Sequence, residues 1–195
     1  FYANIILDKV NSAPDWSLDD QERLRGKALF WRAHAYYELA VLHLSIPGSG
    51  FDGADYFIPL VTGADLESTK RNASAEEVFS LILEDLENSL KLLPEIPEYA
   101  TQPSRDGGYA LLARINLYLG NYEKARQYAE QVLTGPFTLM DYGMLDSTSS
   151  YPFELFNSET VLFTTMATQG TVSNDNIAYV SDDLMESFDS LDLRL

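Results

Sequence analysis

Between Ala28 and Leu44 the only strongly polar residues are Arg32, His34, Glu38 and His43. A helix of that composition is apolar around most of its circumference, so neighbours must cover it on several sides. This predicts a central helix. Its start is legible at Ser17, whose hydroxyl can accept from the Asp20 backbone N–H, and Asp19 and Asp20 in the first turn suit the helix dipole. It is expected to run to about Ser45. Within it, Arg32 requires a carboxylate partner if buried, with Glu38 and Asp85 as candidates. His34 and His43 stand nine residues apart, which places them on opposite faces and argues against a shared metal.

The other elements follow from caps, stripes and breakers. Ile5, Ile6, Leu7 and Val10 predict a short helix that Pro14 interrupts. Ser74, Ala75, Glu76 and Glu77 form a capping box ahead of a stripe of Val78, Leu81, Ile82, Leu86, Leu90 and Leu93, which Pro94 stops. Two further helices are expected at about 104–119 and 122–133, the second closed by Gly135 and Pro136. Residues 46–71 read as a long surface loop rich in Gly, Pro and Asp. Residues 137–181 read as irregular, with a β-like run at 160–166, and a last helix is expected through Leu184, Met185 and Phe188.

A helical repeat fixes the architecture. Tyr109, Leu112, Ala113, Gly120, Tyr122, Ala125 and Ala129 occupy, in step, the positions of the tetratricopeptide pattern. The small residues let paired helices approach, Gly120 ends the first helix, and Tyr122 is expected to wedge the turn. Asn116 stands where the pattern has an aromatic. The strongest unit is 104–134, and a weaker one is read at 19–45. Trp31, Tyr36, Tyr37 and Tyr122 are assigned to the core by their spacing. The fold class is therefore all-α dominated, with tetratricopeptide-like helical repeats, long irregular loops and little β.

Composition removes whole classes of function. Thirty Asp and Glu against thirteen Lys and Arg give a net charge of −17, which repels phosphate backbones, so nucleic acid is not an expected partner. There are no cysteines, and hence no thiolate chemistry and no cysteine-based metal site. Phosphate loops, His-Glu metal helices and serine elbows are absent from the sequence. Glu76 and Glu77 are explained by capping and Glu84 and Asp85 by a solvated helix face, which argues against a hydrolase, although the separation in space that glycoside hydrolysis depends on is not in the sequence. No catalytic residue, cofactor or metal is expected. The opening Phe1-Tyr2-Ala3-Asn4 is neither a basic n-region nor an acylation signal, so any export or anchoring segment is expected upstream.

Taken in order, four stretches resemble the SusD-like (RagB-type) family of outer-membrane nutrient-binding lipoproteins from Bacteroidetes. They are Tyr2 to Ile6, Gly26 to Leu39, Arg71 to Leu86, and Ala110 to Ala125 with Ala113-Arg114 and Gly120-Asn121-Tyr122. Asn157 to Phe163 and Asp192-Leu193-Arg194 are similar as well. His43-Leu44-Ser45-Ile46-Pro47 departs from the family's usual tyrosine-glycine step. The resemblance implies one helical domain over 1–195, truncated at its C-terminal end. It also implies a lipid-anchored protein on the cell-surface side of the outer membrane. Such a protein would bind oligosaccharide or polysaccharide without chemistry and work with a SusC-like TonB-dependent transporter.

For a protein of that kind, sugar contacts are expected from loop aromatics flanked by polar groups, since an exposed ring face stacks on sugar C–H bonds while Asp or Asn binds hydroxyls. The candidates are Trp16 beside Asp15, Tyr56 with Asp52 and Asp55, and Tyr151 with Phe153. Ordinary loop packing is the competing reading for each. Two rival functions stand beside glycan binding: a tetratricopeptide adaptor for a protein or peptide without sugar binding, and a glycosidase.

Overall fold

The computed structural model describes residues 1–12, 15–47, 57–65, 71–146, 148–164, 181, 186 and 187. Five α-helices dominate them: α1 Tyr2–Lys9, α2 Leu18–His43, α3 Ala75–Leu90, α4 Arg105–Tyr118 and α5 Tyr122–Leu133. Helix α2 is the axis of the assembly, with α1 and α3 packed along it and α4 joining at one side, while α5 pairs with α4. The core is built where these meet, from Phe30, Ala33 and Tyr37 of α2, Ile82 and Leu86 of α3, and Leu112 and Ile115 of α4.

Local chemistry sets the helix ends. The Ser17 hydroxyl accepts from the Asp20 N–H at 3.1 Å and so begins α2. The capping box at α3 is complete, with the Glu77 N–H donating to Ser74 Oγ and the Ser74 N–H donating to Glu77 Oε2 at 3.0 Å. Between α4 and α5 the chain turns at Gly120, whose φ of +75° lies in the left-handed region. There the Gly120 N–H donates to the Leu117 carbonyl and the Asn121 N–H to the Asn116 carbonyl, the paired bonds of a Schellman ending. Asn116 itself is buried, donates to the Leu112 carbonyl at 2.8 Å and accepts from Asn121 Nδ2 at 3.4 Å, so a polar group in the aromatic position serves the turn.

Four sequence expectations are corrected. Leu39, Val41 and Leu42 at the end of α2 are exposed, because the described elements cover one side of that helix, where its buried residues run from Gly26 to Ala40. Tyr122 is 71% exposed, unlike the buried Tyr37 and the partly buried Trp31 and Tyr36; Ala125 is the only buried residue of α5, and no further helix packs over that surface among the described residues. Inside the stretch read as loop, strands β1 Ile58–Leu60 and β2 Arg71–Ala73 pair antiparallel, with Ile58 opposite Ala73 and both buried. Asp85 is buried rather than solvated, for the reason that Arg32 reaches it.

Residues 160–164 form no strand; the Phe163 N–H donates to the Ala100 carbonyl at 2.8 Å, and Leu162 packs against the core. Residues 165 and 166 of the β-like run lie outside the described residues, as do Leu184, Met185 and Phe188 of the expected last helix.

Candidate functional site

Trp16 sits in the turn ahead of α2, where its carbonyl accepts from Gln21 Nε2 at 3.1 Å. The backbone is thus held while the indole stays half exposed, at 50%. The ring borders an open depression of about 470 Å³ shared with Asp15, Asp20, Arg23, Leu24 and Lys27. Asp20 is occupied by Ser17 and Arg23, and Lys27 donates to Gln102 Oε1 at 2.8 Å. An indole face beside fixed polar groups is the arrangement a pyranose ring requires.

Tyr151 is 88% exposed, and Phe153 turns its edge to Tyr142 at 5.5 Å between ring centroids. Neither lines the depression beside Trp16. Asp52, Asp55 and Tyr56 lie outside the described residues.

A cleft that sequence reasoning missed opens between α2, α4 and the segment 159–164. It has a volume of about 470 Å³ and presents His34, Leu111, Arg114, Glu159, Thr160 and Thr164. His34 is oriented by aromatic neighbours, its ring stacked near Phe30 and meeting the edge of Trp31 at 5.6 Å. Burial lowers the proton affinity of His34, Glu38 raises it, and the Arg114 cation lowers it again, so the imidazole lies below its ordinary pKa. Glu159 is pinned by the Met140 N–H at 2.7 Å, and the Thr160 hydroxyl bonds Asn157 Oδ1 at 3.1 Å. Histidine, arginine and glutamate arrive here from positions 34, 114 and 159, a juxtaposition that no local motif announces.

A third concavity of about 440 Å³ is apolar and aromatic, bounded by Phe1, Tyr2, Trp31, Tyr36 and Leu39. Tyr36 and Asn4 of its lining are engaged with the chain: the Tyr36 hydroxyl accepts from the Val61 N–H and donates to the Val61 carbonyl, and Asn4 Nδ2 donates to that same carbonyl at 2.7 Å. Among the described residues no group of three His, Cys, Asp or Glu could hold a metal. No described helix is long and apolar enough to cross a membrane.

A family described as SusD-like, starch-binding associating with outer membrane, matches residues 1–117. The chain belongs to the SusD-like family. Solved SusD-like structures agree with that assignment in fold. A SusD-like carbohydrate binding protein from Bacteroides vulgatus ATCC 8482 is 27% identical with a TM-score of 0.62, over 71% of this chain and 29% of its own. A SusD superfamily protein from Bacteroides thetaiotaomicron VPI-5482 is 23% identical with a TM-score of 0.64, over 72% of this chain and 32% of its own. A laminarin binding SusD-like protein is 23% identical with a TM-score of 0.64, over 82% of this chain and 34% of its own. This SusD-like chain therefore spans about a third of the length of the structures it matches. No curated protein matches it.

Proposed function

We propose that this chain is the helical part of a non-catalytic, cell-surface glycan-binding protein for nutrient uptake. The observation that carries the reading is the family match over residues 1–117, whose description is starch binding in association with the outer membrane. The half-exposed Trp16 indole above a polar-lined depression supports it with a stacking platform of the right chemistry. In this reading 1–195 is one helical domain, its tetratricopeptide units at 19–45 and 104–134 face a SusC-like TonB-dependent transporter, and a lipid anchor lies upstream of Phe1. The ligand is an oligosaccharide or polysaccharide, and Tyr151 and Phe153 form a second, separate contact.

The test is migration in native gels cast with starch, laminarin, xylan and mannan. One polysaccharide is expected to retard the protein, and Trp16→Ala to weaken that retardation by roughly tenfold, as loss of one aromatic stacking contact does. No retardation by any polysaccharide would overturn the reading. It would favour the adaptor alternative, for which Leu39 and Leu42 of α2 and Tyr122 of α5 supply exposed apolar groups, and co-purification with an outer-membrane transporter would then be the measurement to make. Release of reducing sugar would instead support the glycosidase.

A further inference from the structure

The cleft between α2, α4 and residues 159–164 is not used by the Trp16 platform, and its chemistry is of a different kind. Arg114 lies on α4 with its side chain toward solvent and makes no ion pair with any described residue, although the chain carries a large excess of acidic groups. Glu159 lines the same cleft without closing on it, held instead by the Met140 N–H. Arg114, whose side chain only donates, and Glu159, whose carboxylate only accepts, thus line one space together with Thr160, Thr164 and the apolar Leu111.

That set selects among ligands. A polyanion is disfavoured twice, by the net charge of −17 and by Glu159 itself. A phosphate site would be expected to present several donors and no carboxylate. Glycoside hydrolysis needs two carboxyl groups flanking a bond, and the described residues of this cleft offer one. Neighbouring hydroxyls of a sugar ring are each donor and acceptor, which is what a separated guanidinium and carboxylate can satisfy together. Part of the lining is preorganised: His34 packs against the Phe30 and Trp31 rings, and Glu159 and Thr160 are fixed by their hydrogen bonds.

We propose that this cleft is a second carbohydrate subsite, in which Arg114 and Glu159 clamp adjacent hydroxyls of one neutral pyranose unit against Leu111, with His34 at its edge. The proposal rests on the glycan-binding reading and adds a site and a charge class to it. Occupancy places a sugar beside His34 and leaves His43 outside the cleft.

The chain contains only these two histidines, so their ring proton resonances form a two-signal probe. The full chain is titrated with maltohexaose, laminarihexaose, xylohexaose and mannohexaose, alongside the native gels. The hexaose matching the retarding polysaccharide is expected to move the His34 resonance saturably and to leave His43 still. Arg114→Met keeps the apolar stem of an exposed side chain and is expected to weaken that titration by about tenfold, since a charged hydrogen bond is lost. Glu159→Gln keeps an acceptor for Met140 and should weaken it less. If the glycan retards the protein and depends on Trp16 while His34 stays unmoved, or if Arg114→Met titrates as the parent does, the subsite is overturned and the platform stands. If no hexaose or polysaccharide binds the parent, the glycan-binding reading fails and the subsite with it.

Discussion

Arg32 and Asp85 meet through two parallel hydrogen bonds, Nε to Oδ2 at 2.7 Å and Nη2 to Oδ1 at 2.8 Å, across the interface of α2 and α3. Both side chains are largely removed from water, and Arg32 Nη1 also donates to Asn4 Oδ1 at 3.2 Å. Since Asn4 in turn donates to the Val61 carbonyl, one guanidinium ties α1, α2, α3 and the segment after β1. Removing one member strands a buried charge, which costs about 3–5 kcal/mol, whereas replacing both by apolar residues can be close to neutral. Arg32→Met and Asp85→Leu are each expected to lose stability of that order in urea unfolding, and the double variant to recover most of it. Single losses below about 1 kcal/mol would show that the pair does not hold the interface.

Gly26 tests how closely α2 approaches the turn after α3. In an exposed helix Gly→Ala is worth about 1 kcal/mol of stabilisation. Here a Cβ on Gly26 would lie 2.8 Å from Leu92 Cβ, 3.1 Å from the Leu92 carbonyl carbon and 3.3 Å from the Leu93 nitrogen, and backbone cannot step aside. Overpacking costs about 1–3 kcal/mol, so the steric loss wins. Gly26→Ala is expected to lower the melting temperature. Gly108→Ala meets only the flexible end of Leu90 at 2.6 Å and is expected to change it far less, so equal losses at both positions would defeat the argument.

What was legible in the sequence was local. The Ser74 to Glu77 box, the Ser17 cap and the Gly120 turn are decided within a few residues, and all three form as their chemistry dictates. Arg32 announced a need for a carboxylate, and α2 and α3 had to pack before Asp85 could be chosen over Glu38. Tyr122 failed because burial belongs to the neighbour as much as to the residue, and periodicity says nothing about whether a neighbour is there. The β1 and β2 pairing failed for a related reason: strands of three residues each carry too little alternation to be seen. The cleft of His34, Arg114 and Glu159 is entirely a product of tertiary structure, since positions 34, 114 and 159 share no local motif.

Asp106 gives the chain a pH dependence of known sign. Its Oδ2 is buried with no hydrogen-bond partner, and Gly135 lies so close that a Cβ there would come within 2.7 Å of it. Burial, and after it the nearby Glu95, raise the Asp106 pKa above the usual carboxylate range, with Arg105 opposing. The folded state therefore takes up the proton at higher pH than the unfolded chain does. As pH rises through the window from the ordinary aspartate pKa up to the raised one, stability is lost, and above that window the charged group is a constant cost. An unsatisfied buried polar group costs about 1–3 kcal/mol, against about 0.3–1 kcal/mol gained from a negative charge in the first turn of α4. Asp106→Asn is thus expected to raise stability by about 1 kcal/mol at about pH 7 and to bring little at about pH 3, where the parent carboxyl is already neutral. Thermal melts of parent and variant at the two pH values measure it, and an equal difference at both would show that the charge of Asp106 is not what costs the fold.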